Sequence, residues 1–306
     1  MRKLFVFLIF IGLSANSFCQ TVTVSSGSVK RFNNFKSKYI APRPVDVWLP
    51  KGYNAKLKYT VLYMHDGQML FDSTQNLNHK EWRVDETMNH LIAEKKVRNC
   101  IVVAIHNTKA RHAEYFPQKP FESLPLSYRD SLLNYARLNP KTGLFPDKVQ
   151  SDNYLKFMVL ELKPFIDKHF STLSNRENTF IAGSSMGGLI SMYALCEYPS
   201  VFGGAACLST HWIGTLEVTQ RIPATFMAYL KECLPSPKTH KIYFDHGTVT
   251  LDAFYPSFQK QADAIMSSKG FTSKNWITKV FQGDDHSEKS WAKRLNIPLE
   301  FLLGKN

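Results

Sequence analysis

Gly183-Ser184-Ser185-Met186-Gly187 has the residue types and spacing for nucleophilic chemistry. The segment follows the short apolar run Thr179 to Ala182 and leads into the helical stretch Leu189 to Glu197. A serine with glycine two positions away on each side, set between a strand and a helix, sits on a sharp turn. Side chains at the flanking positions would meet neighbouring backbone, so glycine is required there. The turn lifts the Ser185 hydroxyl clear of its surroundings. The Met186 N–H, at the start of the helix, then faces the point where an acyl oxygen would gather negative charge. That arrangement suits attack on an ester carbonyl.

A serine hydroxyl is weakly acidic and needs a base, normally an imidazole steadied by a carboxylate. His211, His240, His246 and His286 follow Ser185 in the chain. His286 lies in Phe281-Gln282-Gly283-Asp284-Asp285-His286-Ser287, just after the last expected strand, where a loop can carry the imidazole over Ser185. His240 precedes its strand and belongs at the opposite edge of a sheet. His246 follows a strand but has a better-placed acid close behind it. His286 is therefore the expected base. Asp252 lies in the loop beyond the strand Lys241 to Phe244, with the reach to accept the imidazole N–H. It is preferred over Asp245, which ends that strand and stays open as the competitor. Serine, then acid, then histidine is the chain order of α/β-hydrolases.

A second oxyanion donor is expected from the loop after an earlier strand. His65-Asp66-Gly67-Gln68 occupies that place; Gly67 lets the backbone turn inward and offers the Gln68 N–H, the alternative being an ordinary Asp-Gly turn. His65-Asp66, Asp245-His246 and Asp285-His286 pair good metal ligands, but no H-E-x-x-H or similar spacing joins them. Neither a metal nor another cofactor is expected.

These loops must be held by strands. Apolar runs at Val45 to Leu49, Tyr59 to Met64, Cys100 to Ile105, Thr179 to Ala182, Ala205 to Leu208, Lys241 to Phe244 and Trp276 to Phe281 read as strands. Helical stretches fall between them: Val84 to Lys95, Tyr154 to His169 and Leu189 to Glu197. Phe157, Leu160 and Phe165 are the inward candidates of the second, and Pro164 is expected to kink it or open a new turn. The alternation signals a mainly parallel sheet covered by helices on both faces. Residues 117–150, rich in proline and aromatics, break the rhythm. They are expected as an insertion near the strand ends, either walling the pocket or running over the surface. Trp82, Arg111, His211 and Trp212 follow strand ends and are tentative substrate-binding residues, with plain packing as the alternative for the two tryptophans.

Residues 1–19 carry Arg2 and Lys3 ahead of the apolar run Leu4 to Leu13, then small residues at Ser17 and Cys19. This is the pattern of a cleaved export signal, and the run is shorter than the ~20 residues that span a bilayer. A periplasmic or secreted protein without a stable membrane anchor is expected. Residues 20–306 are long enough for one α/β domain. The net charge of +13 favours anionic partners such as acidic glycans, envelope lipids or a catecholate. The basic residues are scattered, which argues against nucleic acid. Cys100, Cys196, Cys207 and Cys233 form no disulfide framework and no zinc pattern, leaving either a disulfide or buried thiols.

The chain resembles the α/β-hydrolase esterase family that includes enterochelin esterase, feruloyl and acetylxylan esterases, S-formylglutathione hydrolase and the mycolyl-transferring antigens. Val45-Asp46-Val47-Trp48-Leu49-Pro50, Tyr63-Met64-His65-Asp66-Gly67-Gln68, Gly183-Ser184-Ser185-Met186-Gly187-Gly188 and His286 carry the resemblance. It implies an α/β-hydrolase fold with the Gln68 and Met186 amides as the oxyanion hole, and it supports His286 and Asp252. The expected substrate is a small-molecule or glycan ester. Feruloylated or acetylated glycans lead, ahead of a catecholate siderophore trilactone, acyl transfer to another acceptor, or glycan binding without turnover.

Overall fold

The computed structural model describes residues 22–75, 79–138, 145 and 148–305. The expected export signal lies outside the described residues. Eight strands form one sheet: β1 Ser28–Phe35, β2 Arg43–Leu49, β3 Thr60–His65, β4 Cys100–Ile105, β5 Thr179–Ser184, β6 Gly204–Leu208, β7 Lys241–His246 and β8 Trp276–Val280. Their spatial order is β1-β2-β4-β3-β5-β6-β7-β8. β1 and β2 are antiparallel to their neighbours; all pairs from β4 to β8 are parallel. This open, mainly parallel sheet with helices on both faces is the α/β-hydrolase fold.

Every residue of β3, β4, β5 and β6 is buried, which explains why they read as continuous apolar runs rather than alternating ones. Strand alternation sends Val61 and Tyr63 to one core layer, Leu62 and Met64 to the other. The first layer lies under the helices Met186–Glu197, Arg221–Cys233 and Pro256–Ser268, together with the helical segment 151–169. The second lies under Val84–Ala93, Glu288–Arg294 and Asn296–Leu303. Full burial of one aliphatic side chain in such a layer contributes about 1.5–3 kcal/mol. The helix that follows Ser185 is buried from Met186 to Cys196, so the chain around the serine is clamped by core packing.

The helical segment 151–169 corrects one inward assignment. Phe157 is fully buried and Phe165 packs partly against the core, but Leu160 is 54% exposed. Residues Phe157–Leu162 form a π-helical turn, and the Lys163 N–H reaches the Met158 carbonyl five residues back. Pro164 has no N–H for the Leu160 carbonyl and its ring would crowd that group, so the turn widens and the facing residue changes. In the 117–150 stretch, short helices form at Gln118–Glu122 and Leu126–Leu138. The rings of Phe121 and Phe145 pack on Phe116, which in turn packs on Phe226. Cys100, Cys196, Cys207 and Cys233 are free thiols, the first three buried. No helix among the described residues is long and apolar enough to cross a membrane.

Candidate active site

The carboxyl ends of β3, β4, β5 and β8, with the segments that follow them, line one pocket of about 330 Å³. Ser185 sits on the β5-to-helix turn at φ 56°, ψ −121°, a conformation that costs a non-glycine residue on the order of 1–3 kcal/mol. A Cβ on Gly183 would come within 2.7 Å of the Gly187 backbone, so this turn closes only with glycine. The Ser185 N–H donates to the Leu208 carbonyl at 2.9 Å, and its carbonyl accepts from His211 N–H at 3.2 Å. The end of β6 thus holds the strained turn in place. Met186 opens the helix, where the first N–H groups have no partner within the helix.

His286 stands in the loop after β8, its own N–H tied to the Thr250 hydroxyl at 2.9 Å. The ring nitrogen Nδ1 meets Asp252 Oδ1 at 2.5 Å. Trp291 packs edge-on to the imidazole with centroids 5.0 Å apart. The other Asp252 oxygen accepts from the Ser209 hydroxyl at 2.6 Å and the Gly247 N–H at 2.5 Å. Burial pushes the Asp252 carboxyl up, but His286, Ser209 and Gly247 together hold it below the usual carboxylate range. Asp252 is therefore a charged partner for His286. Asp245 faces elsewhere. It is fully buried and takes Arg294 Nη2 at 2.9 Å and Nε at 3.2 Å, with the Tyr243 hydroxyl at 3.0 Å. Burial raises its pKa against the pull of Arg294.

The loop after β3 begins with Asp66 in the left-handed region, φ 57° and ψ 45°. A Cβ on Gly67 would lie 2.7 Å from the Ala104 carbonyl carbon, so glycine lets this loop press against β4. Asp66 is clamped by Arg111 through two bonds of 2.7 Å and by the Asn107 amide at 2.5 Å. Burial alone would raise the Asp66 pKa; Arg111 outweighs it and the carboxyl is lowered. Gln68 is locked by its side-chain oxygen, which accepts from the Asn107 N–H at 3.1 Å. His65 lies beneath, bonded to the Tyr154 hydroxyl at 2.8 Å, and burial lowers its pKa to about 3.

Of the sequence candidates, Ser185, His286, Gln68, Trp82 and Arg111 line the pocket, with Asp252 directly behind His286. His211 and Trp212 do not line it. Trp212 is fully buried, donating its indole N–H to Gln259 at 2.9 Å and packing on Phe244. His211 is buried between the Tyr255 hydroxyl at 2.8 Å and the Thr215 carbonyl at 3.0 Å, and burial lowers its pKa to about 3. The reason is local. After β6 the chain turns inward at Ser209, φ 42°, carrying the next residues under the site rather than over it. No described residue of 117–150 lines the pocket.

Sequence reasoning passed over Tyr255 and Trp291. Tyr255 meets the Ser185 side chain. A His211 ring whose Nε2 donates to Thr215 must accept the Tyr255 proton at Nδ1. The Tyr255 oxygen then turns lone pairs, not a proton, toward Ser185. Trp291 packs directly on Trp82 at 5.4 Å between ring centroids, both largely buried at the edge of the pocket, and Glu288 lies on the lining beside them. Trp291 sits five residues after His286, at the start of a helix whose inner face was not assigned. Among the described residues no cluster of three or more His, Cys, Asp or Glu side chains could hold a metal ion.

The family model described as "Putative esterase" matches residues 39–132 and 134–300. The chain belongs to this esterase family. A Bacillus subtilis relative, the uncharacterised protein YbbA, is 26% identical over 161 residues, half of this chain and 60% of its own length. The endo-1,4-beta-xylanase/feruloyl esterase of Xylanibacter ruminicola is 24% identical over 286 residues, 92% of this chain but 32% of that protein. The chain thus spans less than two thirds of the length of these relatives. Among solved structures, a ferulic acid esterase superposes with a TM-score of 0.62 at 19% identity, covering 90% of this chain and 98% of that one. The enterobactin esterase FES of Shigella flexneri gives 0.63 at 17% identity, covering 90% and 59%. At such identities these structures share the fold of this esterase family member.

Proposed function

We propose that this chain is an exported serine hydrolase that cleaves carboxylic esters on acylated glycans through an acyl-enzyme. One observation carries the reading: an imidazole held by a charged, buried carboxylate stands in the same pocket as the serine of a strained strand-to-helix turn. His286, oriented by Asp252, takes the Ser185 proton as the oxygen attacks the ester carbonyl. The Met186 and Gln68 N–H groups receive the tetrahedral oxyanion; one such donor typically contributes about 3–4 kcal/mol. His286 then protonates the leaving alcohol. Water, activated by the same base, frees the acid and restores Ser185.

The charge balance of the pocket supports an uncharged acyl group. Arg111 is the cation of the lining, and Asp66 holds the Nε and Nη2 edge of its guanidinium. Glu288 adds negative charge beside it. A carboxylate or catecholate would have to share Arg111 with Asp66 and approach Glu288. Trp82 and Trp291, though largely buried, form the aromatic part of the lining that a phenolic acyl group or a sugar ring would meet. Similarity to ferulic acid esterase points the same way, while similarity to the enterobactin esterase keeps a siderophore trilactone as the second reading.

The test is product analysis by mass spectrometry with a feruloylated oligosaccharide, an acetylated xylo-oligosaccharide and a cyclic catecholate trilactone. The expected outcome is release of ferulate or acetate, absent with Ser185→Ala. Cleavage of the trilactone alone would move the substrate to siderophores. Acyl transfer to an added sugar in place of release would make the protein an acyltransferase. Turnover retained by Ser185→Ala would end the serine mechanism, and binding without turnover would end the enzymatic reading.

A further inference from the structure

Ser209 stands at a junction of donors that leaves its hydroxyl a single orientation. Its oxygen accepts from Trp291 Nε1 at 2.9 Å and from Arg294 Nη2 at 2.9 Å, and lies 2.6 Å from Asp252 Oδ2. An indole N–H and a guanidinium can only donate, so they occupy both Ser209 lone pairs. The hydroxyl proton has one acceptor left, Asp252. The backbone of the same residue is tied down as well, because the Ser209 N–H donates to Asp245 Oδ1 at 3.1 Å. That oxygen also receives Arg294 Nη2, the group that reaches the Ser209 hydroxyl. One buried ion pair therefore fixes both the peptide and the side chain of Ser209.

We propose that Ser209 is a positioning residue, held by the Arg294–Asp245 pair and Trp291, that locks the Asp252 carboxylate for His286. The proposal rests on the reading of Ser185, His286 and Asp252 given above. Oδ2 of Asp252 is saturated by Ser209 and Gly247, so the carboxylate cannot rotate and Oδ1 is presented to the imidazole. The serine keeps a left-handed backbone, φ 42°, a conformation more natural to glycine. Trp291 joins the device to the pocket, since its ring meets His286 at right angles while its N–H holds Ser209.

A double-mutant cycle on an activated aryl ester tests this. Ser209→Gly suits the backbone at φ 42° while removing the hydroxyl, and Ser209→Ala serves in its place should the glycine variant fail to fold. In the otherwise native chain, kcat should fall about ten- to a hundred-fold, the usual cost of a lost hydrogen bond to a charged group. KM should stay within about two-fold, because Ser209 does not line the pocket. In an Asp252→Asn background the same substitution should cost less than about three-fold, since Ser209 acts through that carboxylate. An equal loss in both backgrounds, or no loss in a folded variant, overturns the positioning role. Ser185→Ala run alongside separates the two levels: activity surviving in that variant brings down the underlying mechanism, whereas an inactive Ser185→Ala with an additive cycle brings down Ser209 alone.

Discussion

The two ends of the parallel sheet spend their charges differently. At the carboxyl end, Asp66 meets Arg111, Asp252 meets His286 and Asp245 meets Arg294, each within hydrogen-bond distance. At the amino end, a groove of about 840 Å³ is lined by Arg98, Arg176, Lys238, Lys241 and Lys274, with Glu177 as its acid. Arg176 already pairs with Glu177. Arg98 is spent on backbone carbonyls of Glu177, Leu302 and Leu303 and on the Asn178 side chain. Burial, and then proximity to Arg98, lowers the Lys241 pKa. The larger cavity therefore holds the excess of positive charge, and the smaller one holds the groups whose orientation is dictated. Cavity size does not decide which end carries the His286–Asp252 pair. The net charge of +13 likewise describes the surface and not the pocket that contains Ser185.

The comparison is broken most sharply at the two aspartates. Asp252→Asn should lower kcat by about 10⁴-fold with little change in melting temperature, because an amide holds the wrong imidazole tautomer. Asp245→Asn should do the opposite: stability falls by about 3–5 kcal/mol as Arg294 loses a buried partner, while turnover of the folded protein stays within about ten-fold. Steady-state kinetics with urea melts on both variants decides it. The reverse pattern would make Asp245 the acid.

A smaller effect comes from the neutral histidines packed beneath the site. His65 and His211 are both lowered from the ordinary 6.5 to about 3. Below pH 6.5 the unfolded chain binds protons that the folded chain refuses, so stability is full above that pH and falls as pH drops toward 3. Each histidine contributes a slope of about 1.4 kcal/mol per pH unit. Urea unfolding between pH 7 and 5 should show that decline, and His211→Gln should remove one proton's share of it. An unchanged slope would mean that His211 titrates normally in the folded state.

The smallest effect is expected in the amino-end groove. Lys241→Met removes a cation crowded by Arg98, so stability should rise, by less than about 1 kcal/mol. Neither kcat nor KM for a small ester should move. A fall in either would show that the two ends are coupled, and the contrast between them would collapse.

Much of the site was legible as local pattern. The Gly183 to Gly187 segment, the Asp66-Gly67-Gln68 loop and the buried runs of β3 to β7 declare themselves within a few residues, because turn geometry and burial act at that range. His240 was placed at the far edge by its position before β7, and it lies in the amino-end groove. Less local features escaped. β1 was not assigned: only part of each of its side chains is covered, so its apolar signal is weak. Leu160 turned outward because a π-turn ahead of Pro164 broke the 3.6-residue period on which its inward placement rested.

By itself the sequence determined the strand-and-helix alternation, the serine turn with its glycines, and the loop that carries the Gln68 amide, since each depends on backbone sterics and side-chain period within a short window. Which aspartate meets His286 was decided only by tertiary structure, as were the burial of Trp212 and the saturation of the Ser209 hydroxyl. Asp245 and Asp252 are seven residues apart and chemically identical. Their roles separate because Arg294 arrives beside one and His286 beside the other, and that meeting of distant segments is set by how the last two helices pack on the sheet.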